Sequence, residues 1–275
     1  MGMKVSLAQI ASGTDISHNL TLINQAAHRA AAAGADIVVF PEYAMYEKKM
    51  VDASFADVAQ PLTGPFVAAL AVTAVSLGIT VVAGIVETNE HDARPFNTIV
   101  VLDPAGLLQA SYRKMHLFDS YGFRESEWIC PATDLTPVVC DVIGRSGERA
   151  RIGLMTCYDL RFPELGRELA DAQAELVLVC SSWVPGPDKT EQWRILAQAR
   201  AIENSYFIGA VSQCPPISIG RSLIADPAGR VLGELGIVPD LITVNVDRDQ
   251  VWRARQRNPS LDQRRHAIKR RDQGF

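Results

Sequence analysis

The chain has 275 residues, a formal net charge of −4, 48% hydrophobic and 21% charged residues, which are ordinary values for a soluble globular protein. No apolar run approaches the roughly 20 residues needed to span a bilayer. The five cysteines are odd in number and show no C-x-x-C spacing, which argues against a disulfide framework and a zinc site. Because no signal peptide precedes the first strand pattern, we expect a cytoplasmic protein without membrane association.

The first predicted strands end in residues that can carry chemistry. After an opening strand over residues 4–10, a second apolar strand over residues 36–43 carries Glu42 just past a proline. A third extended stretch, residues 111–117, places Lys114 near its end. A strand-end glutamate or lysine is more often an ordinary solvated residue, so neither assignment stands on its local pattern alone.

Cys157 ends a further apolar run, and a polar segment that can open a helix follows at once. We expect this strand to deliver the thiol to a sharp turn, where a helix N-terminus favours the thiolate. The alternative is a buried structural cysteine, which is the fate of most free cysteines. Glu42 and Lys114 favour the first interpretation, because a base, a cation and a thiol form a complete acyl-transfer set.

The chain repeats its order of strand, helix, strand, helix, strand, strand, turn and strand, so it predicts an internal duplication. Residues 4–10 resemble residues 151–157, and the Asp-Pro-Ala-Gly turn at 103–106 recurs at 226–229. Two similar α/β halves, with two sheets face to face and helices outside, predict a four-layer αββα sandwich. The first-half counterpart of the cysteine is Ile10, so we expect one active site.

Two helices are predicted at equivalent places in the halves. Residues 66–77 end at Gly78, which suits a C-cap. Residues 191–203 repeat apolar residues at helical spacing. The second helix is either a core-packed surface helix or a contact between subunits.

Three ordered blocks resemble the signature blocks of the nitrilase superfamily of carbon–nitrogen hydrolases. They are Phe-Pro-Glu at 40–42, Tyr-Arg-Lys-Met-His-Leu at 112–117, and Thr-Cys-Tyr-Asp-Leu-Arg-Phe-Pro-Glu at 156–164. The resemblance runs from Val5 to about Val246 and is strongest to Nit-type amidases, the omega-amidase and deaminated-glutathione-amidase group. It implies the same four-layer fold and a homodimer or higher homo-oligomer.

The resemblance also implies a catalytic triad of Glu42, Lys114 and Cys157, assisted by a further glutamate at Glu125. In this scheme Glu42 deprotonates the thiol, which attacks an amide carbonyl, while Lys114 and the backbone N–H of Tyr158 stabilise the oxyanion. Ammonia leaves, and water activated by Glu42 hydrolyses the thioester. The scheme needs no metal and no organic cofactor.

Three residues are expected to contact the substrate. Tyr158 follows the nucleophile, Trp183 follows another strand end, and His116 lies two residues from Lys114 on the same predicted strand face. The alternatives are a core role for Trp183 and a Cys–His hydrolase that uses His116. A cation for a carboxylate-bearing substrate can come from three arginines, namely Arg124, Arg161 and Arg221.

The expected reaction is hydrolysis of a small-molecule linear amide to a carboxylate and ammonia. The leading substrates are an omega-amide of a keto acid and deaminated glutathione, and the alternative within enzymes is an N-carbamoyl amide hydrolase. A catalytically silent binding protein on the same fold is the alternative from another class. The intact triad argues against it.

Residues 251–275 form a basic tail on an acidic chain, so residues 1–250 are predicted to be the hydrolase domain. The basic residues of the tail are Arg253, Arg255, Arg257, Arg264, Arg265, Lys269, Arg270 and Arg271. No aromatic stacking set and no nucleic-acid-binding module accompany them. We therefore expect the tail to pack on the body or on a partner subunit, with its last residues mobile, rather than to bind nucleic acid.

Overall fold

The computed structural model describes residues 2–270, and its elements follow the predicted order. The first half contains β1 (Met3–Gln9), α1 (Ile16–Ala32), β2 (Ile37–Val39), α2 (Ser54–Val58), α3 (Pro65–Leu77), β3 (Thr80–Glu87), β4 (Phe96–Leu102) and β5 (Leu108–Arg113). The second half contains β6 (Val139–Ile143), β7 (Arg149–Thr156), α4 (Pro163–Asp171), β8 (Leu176–Ser181), α5 (Lys189–Asn204), β9 (Phe207–Ser212), β10 (Leu223–Ala225) and β11 (Val231–Glu234). The chain continues through β12 (Asp240–Val246) and α6 (Arg248–Arg257).

Two six-stranded mixed sheets share one strand order; the second half supplies all strands of one, whereas the first half supplies five strands of the other and β12 adds the sixth. The first sheet runs β12-β1-β2-β3-β4-β5, and the second runs β6-β7-β8-β9-β10-β11. In each sheet three adjacent strands are parallel, and the remaining strands pair antiparallel on either side. Strand β12 therefore occupies in the first sheet the place that β6 occupies in the second. The predicted internal duplication is confirmed.

The burial pattern of the strands explains the layered packing. Val39 and Val82 of the first sheet share a core cluster with Leu178 of the second sheet. Their neighbours Val38 and Val81 point the other way and pack with residues of α1 and α3. A strand that is buried on both faces reads as a continuous apolar run, as β2 and β3 do. The structure is the predicted four-layer αββα sandwich.

The repeated turn has the same geometry in both halves. The N–H of Gly106 donates to the carbonyl of Asp103, and the N–H of Gly229 donates to the carbonyl of Asp226, both at 2.8 Å. The two glycines have φ of 79° and 77°, in the left-handed region that other residues rarely adopt. Each turn joins the last two strands of its half, as the sequence predicted.

The predicted helices lie at the expected places. Helix α3 ends at Gly78, whose φ of 61° makes it a left-handed C-cap. Helix α5 buries Trp193 and Ala197 against the second sheet. Ile195 on the same helix is exposed. Contact of α5 with a second subunit stays a prediction.

The basic tail begins with α6, which starts at Arg248 and so crosses the predicted boundary at residue 250. Beyond the helix, Arg264 pairs with Asp171 and Arg270 pairs with Glu168, both on α4. These ion pairs place the segment against the second half of the chain. The predicted mobility of the last residues concerns 271–275, which lie outside the described residues. Within residues 2–270, no helix is both long and apolar enough to cross a membrane.

Candidate active site

Four predicted residues meet in one cavity of about 170 Å³. Glu42 follows β2, Lys114 directly follows β5, and Cys157 directly follows β7. Glu125 begins a 3₁₀ turn in the segment that links the two halves. Two sheets thus contribute to one site, because the ends of their strands open onto the same space. The structure brings together the carboxylate, the ammonium and the thiol that the sequence predicted.

The ammonium of Lys114 lies between two carboxylates. Its Nζ donates to Glu42 Oε1 at 2.8 Å and to Glu125 Oε2 at 2.8 Å. The three side chains are almost fully buried, with exposed fractions of 2%, 2% and 5%. Buried charges persist in proteins when they are paired and hydrogen-bonded, as these are.

The two carboxylates keep Lys114 charged. Burial by itself disfavours the ammonium, but Glu125 and then Glu42 outweigh burial and raise the pKa of Lys114 well above its usual value. The side chain is therefore a cation throughout the neutral range. It can stabilise a negative charge that develops in the cavity.

Cys157 occupies a strained turn between β7 and a 3₁₀ turn over residues 157–161. Its φ of 48° lies in the left-handed region, which costs a residue other than glycine on the order of 1–3 kcal/mol. The buried carboxylate of Asp159 holds the turn, accepting from the N–H of Thr156 at 2.9 Å and from the N–H of His116 at 3.1 Å. The hydroxyl of Tyr112 donates to the same carboxylate at 2.5 Å. The sharp turn is therefore where the sequence predicted it.

The predicted thiolate is not favoured in this environment. Burial raises the pKa of the Cys157 thiol well above its usual value, and the negative charge of Glu42 raises it further. Lys114 opposes both effects without overcoming them. The sequence showed the turn behind the thiol but not the depth of burial or the neighbouring carboxylate. The resting thiol is neutral and lies beside a base.

Several residues that orient the glutamates were not predicted. The amide of Asn97 donates to Glu42 Oε1 at 2.7 Å, and the backbone N–H of Ser182 donates to Glu42 Oε2 at 2.7 Å. The hydroxyl of Tyr43 donates to Glu125 Oε1 at 2.9 Å. Asn97 could have been found from its place in a mostly apolar strand, since a buried amide needs polar partners. The backbone donor carries no sequence signal.

The three residues expected to contact the substrate lie outside the wall of this cavity. His116 does not share a strand face with Lys114, because β5 ends at Arg113; its ring stacks on Phe162 at 3.7 Å. Trp183 is 2% exposed and packs its ring on a neighbouring tryptophan, which fits the alternative core role. The ring of Tyr158 packs edge-on against Phe162. Contact of these three residues with a substrate stays a prediction.

The rim of the cavity is cationic. Lys48, Lys49 and Arg124 line it. Lys48 pairs with Asp52, and Arg124 lies 3.5 Å from Glu127 while remaining 75% exposed. Of the three arginines considered as substrate ligands, only Arg124 lines this cavity; Arg161 instead donates to Gln192 at 2.6 Å. Across residues 2–270, no three His, Cys, Asp or Glu side chains are grouped to hold a metal ion.

Comparison with known proteins gives consistent matches over almost the whole chain. The carbon–nitrogen hydrolase family model matches residues 4–256. Hydrolase Rv0480c of Mycobacterium tuberculosis is 39% identical over 271 residues, which cover 93% of each chain. The deaminated glutathione amidase of Mus musculus is 30% identical over 277 residues, covering 95% of this chain and 83% of that protein.

A solved structure is also similar. A double mutant of the amidase from Nesterenkonia sp. AN1, in complex with acrylamide, superposes with a TM-score of 0.80 at 28% identity. The superposition covers 96% of this chain and 94% of that one. Another structure of that amidase shows Michael addition of acrylamide at its active-site cysteine.

Proposed function

This chain belongs to the carbon–nitrogen hydrolase family and is an enzyme of the amidase type; on that premise we propose that it hydrolyses a small linear amide through a thioester on Cys157. The observation that carries the proposal is that the thiol of Cys157, the carboxyl group of Glu42 and the buried ammonium of Lys114 line a single small cavity. These groups supply a nucleophile, a base and a cation that stabilises the oxyanion.

Acylation begins with the neutral thiol. Glu42 accepts the proton of Cys157 as Sγ attacks the amide carbonyl, so that the C–S bond forms while the S–H bond breaks. The high pKa of the thiol favours this concerted transfer, because a free thiolate is scarce in the resting site. Hydrogen bonds from Asn97 and from the N–H of Ser182 hold the carboxylate of Glu42 in place for the transfer.

Lys114 stabilises the transition state more than the ground state. In the resting site its charge is shared between Glu42 and Glu125. When Glu42 takes the proton, that carboxyl becomes neutral and the oxyanion becomes the negative partner of Lys114. Glu125 keeps the ammonium in place throughout. An interaction that strengthens only as the oxyanion forms lowers the barrier. The backbone N–H of Tyr158 is the second oxyanion donor in this scheme.

The remaining steps return the site to its starting state. The C–N bond breaks as Glu42 returns its proton to the nitrogen, and ammonia, or an amine from a substituted amide, departs. Glu42 then accepts a proton from water, whose oxygen attacks the thioester. The C–S bond breaks, the sulfur regains the proton, and the carboxylic acid product leaves.

The cavity and its rim favour a small substrate with a distant negative charge. A cavity of about 170 Å³ suits a short acyl chain. The cations Lys49 and Arg124 at the rim can pair with a carboxylate at the other end of the molecule. An omega-amide of a keto acid and deaminated glutathione both have this form. The likeness to a deaminated glutathione amidase supports the second.

The test measures the products that the purified protein releases from a panel of candidate substrates. The panel contains 2-oxoglutaramate, deaminated glutathione, glutamine, aliphatic amides, N-carbamoyl-β-alanine and a nitrile, with ammonia, amine and carboxylate products measured together. The Cys157→Ala variant runs alongside, with Cys140→Ala as a matched control because Cys140 lies outside the cavity. We expect amide hydrolysis that Cys140→Ala retains and Cys157→Ala loses. Hydrolysis of the N-carbamoyl compound alone, or equal rates for the wild type and Cys157→Ala, would contradict the proposal.

A further inference from the structure

Glu47 lines the same cavity as Cys157 and Glu42, yet the mechanism above gives it no task. Its side chain is 2% exposed, and its backbone is fixed because its N–H donates to the carbonyl of Gly13 at 3.0 Å. Oε1 accepts from the N–H of Lys48 at 3.0 Å. Oε2 is buried and makes no hydrogen bond within the described part of the chain. A buried carboxyl oxygen without a partner is unusual and calls for an explanation.

Glu87 shows how the same chain satisfies a buried glutamate that has a structural task. Its Oε2 accepts from the hydroxyl of Thr98 at 2.7 Å, and Arg113 donates to both of its oxygens at 2.6 and 2.9 Å. Both oxygens of Glu87 are occupied, and the residue lies outside the cavity. Glu47 differs in both respects, which points to a partner that arrives with the substrate.

Glu47 is held as an uncharged acid. Burial raises the pKa of Glu47 well above its usual value, and the charge of Glu42 raises it further. The nearby hydroxyl of Ser182, the hydrogen bond from the N–H of Lys48 and the charge of Lys114 oppose this shift but are smaller. The cavity therefore holds a neutral carboxyl group close to Glu42, the base of the proposed mechanism. Such pairs mark acid and base roles in catalytic sites.

We propose that Glu47 is a further catalytic residue, whose oxygen Oε2 accepts a hydrogen bond from an N–H of the leaving nitrogen as the C–N bond breaks. The inference rests on the proposed function, in which Glu42 returns a proton to that nitrogen. The nitrogen must then lie beside Glu42, which lines the same cavity as Glu47 and acts electrostatically on it. Two carboxyl groups this close also disfavour a substrate carboxylate beside them, which leaves the nitrogen as the group that they receive.

This hydrogen bond strengthens on the reaction path. The single lone pair of the pyramidal nitrogen takes the proton that Glu42 returns, and the nitrogen becomes cationic, so its N–H groups become stronger hydrogen-bond donors. An acceptor placed at those N–H groups therefore stabilises the departing group more than the neutral substrate amide. The proton that departs with the nitrogen still comes from Glu42. Glu47 therefore makes and breaks no covalent bond in the mechanism given above.

The test compares two leaving groups on one acyl group. A primary amide that the wild type hydrolyses is measured beside the p-nitrophenyl ester of the same acid, because p-nitrophenolate departs without a proton or a strong hydrogen bond. The measured quantity is kcat/KM, which reports acylation, normalised to the Cys157 sites counted from the ester burst. We expect Glu47→Leu to lower kcat/KM for the amide by about 30- to 100-fold, within the usual range for acid–base assistance, and for the ester by less than about threefold.

Glu47→Gln keeps the shape and an acceptor oxygen, so the test does not depend on the folding of the leucine variant. We expect an intermediate loss on the amide, about three- to tenfold, and no change on the ester. Glu87→Leu is the matched control for loss of a buried glutamate, and it should leave the amide-to-ester ratio unchanged.

The outcomes separate this inference from the proposed function. Equal losses on amide and ester in the Glu47 variants, or no loss on the amide, would overturn the role of Glu47 while leaving the amidase proposal intact. A wild type that hydrolyses the ester through Cys157 but no amide would overturn the proposed function, and the role of Glu47 with it.

Discussion

The two halves of the chain share one arrangement of strands and helices, but different residues lie at the ends of their strands. In the first sheet Val5 pairs with Ile37, and in the second sheet Ile152 pairs with Leu176 at the equivalent place. Following this register, Ile10 corresponds to Cys157. The arrangements are alike because packing between apolar strands and helices determines them. The residues at the strand ends differ because they contribute little to that packing.

The difference divides the chemistry between the halves. Glu42 follows β2, and the equivalent position is Ser181, the last residue of β8. In the proposed mechanism the first half therefore supplies the base and the ammonium, and the second half supplies the nucleophile. One complete set forms where the two sheets meet. A second set would need a thiol in place of Ile10, a carboxylate in place of Ser181 and an ammonium at the end of β11.

The largest expected effect comes from exchanging the equivalent pair Cys157 and Ile10 for alanine in separate variants. Cys157→Ala removes the atom that holds the acyl group, so amide turnover should fall by at least about 10⁴-fold while the fold is kept. Ile10→Ala removes a buried core side chain, and should cost about 2–5 kcal/mol in the free energy of unfolding. Its turnover per folded molecule should stay within about threefold. Rates and urea unfolding curves measure both, and a large catalytic loss in Ile10→Ala would break the comparison.

The next effect distinguishes Glu42 from Ser181. Glu42→Gln removes the base but can keep a hydrogen bond to Lys114, so kcat/KM for amides should fall by about 10²- to 10⁴-fold. Ser181→Ala removes a buried hydroxyl that has no hydrogen-bond partner among the described residues, and the rate should change by less than about threefold. Steady-state kinetics on the two purified variants is the measurement. A Glu42→Gln enzyme within tenfold of the wild type would show that another group takes the thiol proton.

A smaller effect is expected at Glu125, which lies in the link between the halves and has no duplicate. Glu125→Gln removes one of two charges that hold Lys114, while Glu42 remains at 2.8 Å. The ammonium should stay charged but be less well placed, which predicts a 10- to 100-fold loss in kcat for amides. Stopped-flow measurement of acylation should locate the loss in the first step. A loss confined to KM would instead indicate that Glu125 binds the substrate.

The order of strands and helices could be predicted because the sequence patterns that determine it are local and occur in both halves. Alternating strand and helix patterns and the recurrent Asp-Pro-Ala-Gly turn gave the order of elements and the sandwich. Glu42, Lys114 and Cys157 could be identified because they lie in ordered sequence blocks. Their contacts could not be derived in this way, since Glu42 and Lys114 are 72 residues apart and meet only through the sheet.

The parts that were not predicted depend on burial rather than on sequence pattern. The thiolate expectation for Cys157 was wrong because the depth of the turn and the nearby Glu42 decide its pKa, and neither is visible along the chain. Glu47 falls in a loop between β2 and α2 and looks like a solvated residue in the sequence. Only the structure shows that this residue is buried in the cavity wall.

The smallest expected effect is on the free energy of unfolding, for which the two buried glutamates Glu47 and Glu87 are compared. The pKa of Glu47 is raised in the folded state, so it keeps its proton at a pH where the unfolded chain has lost it. At a pH below the usual value of 4.5, Glu47 is protonated in both the folded and the unfolded state, so its titration does not lower the free energy of unfolding. As pH rises above that value, the wild type should lose up to about 1.4 kcal/mol of stability per pH unit, until the folded-state pKa is reached.

Glu47→Gln removes this dependence because an amide does not titrate. The variant should match the wild type at pH 4 and become more stable than it at pH 7, as measured by urea unfolding at both values. Glu87→Gln should show the opposite result at pH 7, since it gives up the ion pair with Arg113. A Glu47→Gln variant that is less stable than the wild type at pH 7 would mean that the carboxyl serves the fold. A more stable but slower variant would show an acid retained for catalysis against the stability of the fold.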